Sequence, residues 1–218
     1  MRVMVFTPSH AQTREHGGMT WRSAVWMLMI AAGLWHGWAQ WRLRPLHTAD
    51  GPLAPAEPLQ TALDGAIPLA HGRWMLTPRA RYDITARILG REGYRFDAIS
   101  DLVPEDLALG WGPMSDNRIL RDFQIGQSSR FYSWRPKAAL PIPRQEVIEH
   151  SANTHVIPAD SSIQSQLERL REGQVVHLMG LLVDAVRDDG RWMHTSLTRS
   201  DTGNGACEVM LVEHIEVL

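Results

Sequence analysis

Only one cysteine, Cys207, occurs in 218 residues, so no disulfide can close within the chain, and a Cys-based zinc finger or a CxxC redox pair is excluded. Lysine is equally scarce: of the 22 basic residues one, Lys137, is a lysine and the rest are arginines. With a formal net charge of −2 there is no Lys-rich tail of the kind that coats nucleic acid. Walker loops, GxGxxG, HExxH and GxSxG are all missing, which removes the enzyme classes those motifs mark. No internal repeat of useful length occurs. What is present, 44% apolar and 21% charged residues, suits one ordinary domain with an appendage and argues against wholesale disorder.

Tryptophan is unevenly placed. Five of the nine (Trp21, Trp26, Trp35, Trp38 and Trp41) fall near the start of the chain, around a run without formal charge from Ser23 to Trp41. A helix over 23–41 is about 28 Å long, close to the hydrocarbon thickness of a bilayer. Trp21 and Trp41 stand where interfacial indoles belong, and Arg22, Arg42 and Arg44 flank the run. The expectation is a transmembrane helix over 23–41 preceded by a cytoplasmic segment, 1–22. The slight excess of arginine on the leading flank orients the body outward, giving an inner-membrane, single-pass protein with a periplasmic domain. Two alternatives stay open. His36 and Gln40 shorten the cleanly apolar part to signal-peptide length, and Gly37-Trp38-Ala39 offers small residues for cleavage before Gln40. The segment is also readable as a buried helix.

After residue 44 the chain holds 17 basic and 23 acidic residues, since five of the 22 bases and one of the 24 acids precede it. Such a body repels phosphate backbones, so no nucleic-acid partner is expected. Residues 45–72, with Pro45, Pro52, Pro55, Pro58 and Pro68, read as an extended tether or as a segment packed along the domain surface. Alternation of Tyr82, Ile84, Ala86 and Ile88 with Arg81, Asp83, Thr85 and Arg87 predicts a half-buried strand. Leu102 to Leu109, with Pro104, two acids and a following Gly110, reads as a short helix. Phe131, Tyr132 and Trp134 predict a strand ended by Pro136. Asp160 is placed to cap a helix bearing Ile163, Leu167 and Leu170 on one face. Apolar runs from Val175 to Val183 and Val209 to Val217, with a turn at Asp188-Asp189-Gly190 leading into Arg191 to Leu197, predict strands. The expected class for 73–218 is α+β with β dominant, built on a C-terminal antiparallel sheet or small OB-like or SH3-like barrel.

The densest polar cluster runs from His150 to His155. Two imidazoles five residues apart miss the i, i+4 spacing of a shared helical face, and in a strand they point to opposite sides. No metal site is assigned and no cofactor is expected; hydrogen bonding to loop backbone is the plainer role. Cys207 is a candidate nucleophile with His150 or His155 as base and Asn153 as orienter, although a lone cysteine entering an apolar strand is more often a small buried side chain. Arg199 to Glu208 either connects two strands or places Asp201 and Glu208 in a pocket. Trp111, between two glycines, and the nearby Asp116 are ligand-binding candidates, with burial as the alternative for the indole.

Several blocks resemble a family of bacterial membrane-anchored proteins to which no activity is assigned. They are Gly110-Trp111-Gly112-Pro113-Met114-Ser115; Ser151-Ala152-Asn153 with His155 and Ile157-Pro158-Ala159; Gly173; Gly180-Leu181-Leu182-Val183; and Thr195-Ser196, Arg199, Asp201-Thr202-Gly203 and Gly205-Ala206-Cys207-Glu208. They span most of 73–218, and Val156 stands where the family often has leucine. The resemblance implies one coherent domain and an envelope location, and it carries over no catalytic residue. The leading expectation is then a non-catalytic binding or assembly domain held at the inner membrane, with the membrane and an envelope protein as partners. The alternative is an envelope hydrolase or metal-dependent enzyme using His150, Asn153, His155, Asp201 and Cys207.

Overall fold

A computed structural model describes residues 21–42, 44–46, 48–200, 203 and 205–218. The chain divides into two units, Met1–Arg42 and Leu43–Leu218; the segment 1–20 lies outside the described residues. In the first unit, helix α1 runs from Trp21 to Arg42. Among the described residues no helix is long and apolar enough to cross a membrane. This corrects the transmembrane span expected over 23–41, together with the signal anchor, the single-pass inner-membrane placement and the periplasmic assignment of the body built on it. The physical reason is composition. The apolar run gives way at Gly33, His36 and Gly37, and tryptophan, with its polar N–H, favours an interface over hydrocarbon.

The second unit contains strands β1 (Leu59–Ala62), β2 (Leu69–His71), β3 (Trp74–Gly93) and β4 (Glu105–Gly110). A 3₁₀ turn (Gly112–Ser115) and the short helix α2 (Asn117–Leu120) lead to the hairpin β5 (Phe123–Ser128) and β6 (Phe131–Pro136). Then come α3 (Arg144–Glu149), β7 (Ser151–Pro158), α4 (Ser161–Leu167), β8 (Val175–Arg187), β9 (Trp192–Met193) and β10 (Glu208–Val217). All strands except the hairpin form one eight-stranded sheet in the order β1-β3-β4-β7-β10-β8-β9, with β2 on β3 and a further β3–β8 ladder. β7 and β10 are parallel, and the other pairs are antiparallel. The expected antiparallel sheet or small OB- or SH3-like barrel at the C-terminal end is therefore corrected. The sheet is large and mixed, and it recruits strands from residue 59 onward.

The period-two pattern of β3 works as the sequence predicts: Ala80, Tyr82, Ile84, Ala86 and Ile88 are buried and join Leu107, Leu109, Val156, Leu178 and Met210 in the main core. Ile163 and Leu167 of α4 and Leu170 just after it cover the core, and the first turn of α4 is capped by Asp160 accepting from the Ser162 and Ile163 amides at 2.7 and 2.9 Å. The helix expected over 102–109 is a strand instead. All six residues of β4 are buried, because Leu107 and Leu109 face the main core while Ala108 faces a second cluster with Phe123 and Val147 under the β5–β6 hairpin. Burial on both faces overrides the helix-start signals. The segment 45–72 is packed on the domain: Ala54 is buried and its carbonyl accepts from the Gly112 amide at 2.8 Å, and β1 and β2 pair with β3.

Candidate functional site

Antiparallel register places Asp106 of β4 opposite His155 of β7, and Ala108 opposite Asn153. Side chains two apart on a strand share a face, so Asp106, His155 and Asn153 all project from the side that the β5–β6 hairpin covers. The parallel neighbour β10 pairs Val209 with His155, which puts Cys207, two residues earlier, at the entrance of that same face. Three adjacent strands thus deliver an acid, an imidazole and a thiol to one place.

Asp106 is fully buried. Its Oδ1 accepts from His155 Nδ1 at 2.9 Å and from Arg130 Nη1 at 3.0 Å, while Oδ2 is 3.4 Å from Asn153 Nδ2. With Nδ1 on the carboxylate, Nε2 is the ring nitrogen left free of Asp106, and the β10 register sets Cys207 beside His155 on the same face. Burial opposes a charge on His155, but the hydrogen bonds to Asp106 and Cys207 and the charges of both outweigh it and push the imidazole up to about 9. Asn153 is held by Gln127, whose Nε2 donates to its Oδ1 at 2.8 Å. The Asn153 amide in turn donates to the Arg130 carbonyl at 3.2 Å and toward Cys207 Sγ at 3.8 Å.

Arg130 reaches the site through a strained turn. Ser129 and Arg130 join β5 to β6 as a two-residue loop, with φ of 53° and 70°. Both central residues are left-handed, as a type I′ turn requires, and neither is the glycine or asparagine that adopts this without cost. The geometry is secured from three sides. The guanidinium lies 3.6 Å over the Tyr94 ring, pairs with Asp97 at 2.8 Å, and its residue's amide donates to Tyr94 Oη at 2.9 Å.

His155 links this geometry to stability. Its folded-state value exceeds the unfolded one, so the stabilisation it provides is complete below its ordinary value of about 6.5 and is lost as pH rises through about 9. At 1.36 kcal/mol per pKa unit the contribution is on the order of 3 kcal/mol. The urea midpoint of the full chain is expected to fall between about pH 6.5 and 9 and to show no such fall in Asp106→Asn, where the carboxylate is gone. A wild-type midpoint constant over that range contradicts the assignment.

Cys207 and Asn153 line a cleft of about 330 Å³ whose walls include Trp111, Trp134, Arg144, Arg199 and Glu208. Of the residues singled out in the sequence, Asn153, His155 and Cys207 are therefore brought together, and Trp111 and Glu208 line the adjoining cleft. His150 is engaged elsewhere: it ends α3, its Nδ1 is 2.8 Å from the Glu146 carbonyl and its Nε2 is 3.0 Å from Glu57, whose other oxygen accepts from Trp111 Nε1 at 3.0 Å. Asp116 caps α2, accepting from the Arg118 and Gly51 amides at 2.8 and 3.0 Å and pairing with the Arg118 side chain, which holds its carboxyl well below the usual range. Asp201 lies outside the described residues. Among the described residues no group of three or more His, Cys, Asp or Glu side chains is arranged to hold a metal ion, so the metal-dependent reading has no ligand set there. Asp106, Arg130 and Gln127 were not legible as site residues. Asp106 in particular reads as a helix-start acid until β4 is known to be a strand.

No family model, no curated protein and no solved structure matches this chain.

Proposed function

We propose that the Leu43–Leu218 domain is a cysteine-dependent hydrolase acting on an acyl carbonyl, an ester, thioester or amide. The observation that carries this reading is the His155 imidazole, held at 2.9 Å by a fully buried Asp106, on the same sheet face as the only thiol of the chain, Cys207, which lines a cleft and meets the Asn153 amide at 3.8 Å. A nucleophile, a base and a group orienting that base form the constellation that covalent acyl transfer needs, whatever the order of the residues in the chain. It replaces the expectation of a non-catalytic binding or assembly domain. That expectation depended on a membrane span and on the lack of a local motif, and these residues come from strands far apart in sequence.

The steps follow from the chemistry of the groups. Neutral His155 takes the Cys207 proton as sulfur attacks, so the nucleophile forms only as the new bond does. Cys207 Sγ attacks the carbonyl carbon, forming a C–S bond as the carbonyl π pair moves onto oxygen. Collapse breaks the bond to the leaving group, which takes the proton from His155. Water, deprotonated by the now neutral His155, then attacks the thioester, and the thiolate departs with the acid product released. Asp106 keeps Nδ1 occupied throughout, so Nε2 is the nitrogen that carries the proton transfers. The Asn153 amide, already directed toward Sγ and fixed by Gln127, is the donor placed to meet negative charge on the reacting atoms.

The test is alkylation of the full chain by iodoacetamide, followed by mass spectrometry at Cys207. Cys207 is expected to be alkylated about tenfold faster in wild type than in His155→Ala, which lacks the base that takes its proton. Equal rates in the two proteins remove the base and the proposal with it.

A further inference from the structure

We infer that the substrate of this cleft carries a carboxylate, recognised by Arg144 and Arg199; the inference rests on the acyl-transfer reading and specifies its substrate class. Both guanidiniums line the cleft that contains Cys207. Arg199 is built into its position. It lies 5.5 Å over the Tyr82 ring and 5.6 Å from the Trp111 ring centre, and it donates to Tyr82 Oη at 3.0 Å and to the Pro58 carbonyl at 3.4 Å. These contacts fix the group while satisfying only two of its five donors. Neither Arg199 nor Arg144 makes an ion pair with an acid among the described residues, and Arg144 is held only by the face of Trp134, 5.2 Å from the ring centre. Elsewhere in the domain Arg91, Arg130 and Arg187 end on carboxylates, while the buried Arg87 donates to the Ser115 carbonyl.

Charge balance supports the same assignment. Among the described residues lining the cleft, two guanidiniums face one carboxylate, Glu208. This positive lining belongs to a body with six more acids than bases. An acidic surface repels anions everywhere except where a local cationic wall with low-dielectric sides draws them in. Guanidinium presents paired donors that match the two oxygens of a carboxylate, and a ring stacked beneath it leaves that edge free. A cavity of about 330 Å³ has room for an acyl group with one carboxylate and a flat apolar portion against Trp134.

The probe is a pair of alkylating agents of nearly equal size, iodoacetate with a carboxylate and iodoacetamide without. In each case the Sγ–CH₂ bond forms as iodide leaves. The ratio of iodoacetate to iodoacetamide rates at Cys207 is expected to exceed that of free cysteine by about tenfold, the effect of one charge-assisted contact. Arg144→Gln together with Arg199→Gln is expected to return the ratio to that of free cysteine. Because Arg199 also packs on Tyr82, Arg144→Gln alone serves as the variant with an exposed side chain, and it lowers the ratio severalfold without altering the unfolding midpoint. If wild type still outpaces His155→Ala with iodoacetamide but iodoacetate shows no preference, the carboxylate assignment is wrong and the hydrolase stands. If His155→Ala reacts as fast as wild type with both reagents, the hydrolase reading itself has failed.

Discussion

Replacing Asp106 by asparagine slows alkylation of Cys207 at pH 9 by about tenfold, because the base that takes the thiol proton loses the carboxylate that orients it. The substitution is nearly isosteric, and its amide oxygen can still accept from His155 Nδ1 at the distance now held by Oδ1, 2.9 Å. What disappears is charge. Without the carboxylate the imidazole loses the acceptor that fixes its Nδ1 proton and one of the two groups that raise it against burial. His155→Ala reaches the same rate by another path, because it deletes the ring, and the double variant is expected to be no slower than either single one, since the two residues act as a unit. Turnover of an acyl substrate falls further, by about 10²–10⁴, because the proton transfer to the leaving group is lost as well. An Asp106→Asn protein alkylated as fast as wild type would show that the orientation of His155 comes from somewhere other than β4. Arg130 is the internal control: removing its Nη1 contact to Asp106 at 3.0 Å leaves the carboxylate more available to His155, so Arg130→Gln destabilises the hairpin without abolishing reactivity.

Why half of this site can be read in the sequence and half cannot follows from what each part depends on. Asn153, His155 and Cys207 stand out because their chemistry is intrinsic: a lone thiol and a cluster of polar side chains attract attention wherever they fall. Asp106 becomes visible only through register. It follows Pro104-Glu105 and precedes Leu107-Ala108-Leu109 and Gly110, a string that carries every local mark of a short helix. Only burial of both faces, between the main core and the cluster under the hairpin, makes it a strand and turns its second residue toward β7. The strands with clean alternation or long apolar runs, β3, β8 and β10, were legible because a single buried face writes itself into the sequence with period two, or continuously where both faces are covered. β1 and β2 were not, since their residues are mostly exposed and hold their place through ladder bonds to β3 rather than through buried side chains. At α1 the error was of another kind. A helix is present, over Trp21–Arg42, but the indoles within the run, Trp26, Trp35 and Trp38, were counted as apolar when their polar N–H lowers the apolarity on which a span depends.

Gly180→Ala is expected to unfold the domain outright. Gly180 lies mid-strand in β8 with a neighbour on each side, opposite Tyr82 of β3 and Val212 of β10. A Cβ built there meets the Leu211 carbonyl oxygen at 1.9 Å and the Glu213 nitrogen at 3.2 Å. Both atoms are backbone, at the bulge where the β10 register shifts between Val212 and His214, so no rotamer change relieves the clash. β10 must move away, breaking its ladder with β8 and with the parallel β7, at a cost above about 4 kcal/mol, a large part of the stability of a domain of this size. Gly190→Ala is the matched comparison: it also alters a glycine, at φ 85°, but with nothing within 4 Å, and it costs only about 1–2 kcal/mol of backbone strain. The readout is the urea midpoint of the full chain, with Cys207 alkylation measured in parallel at pH 9. The two measurements are coupled by construction. β10 starts at Glu208, immediately after Cys207, and its parallel register on β7 is what brings the thiol to His155. A protein that tolerated alanine at 180 with its midpoint intact would place β10 elsewhere, and the thiol could then no longer be assigned to that imidazole.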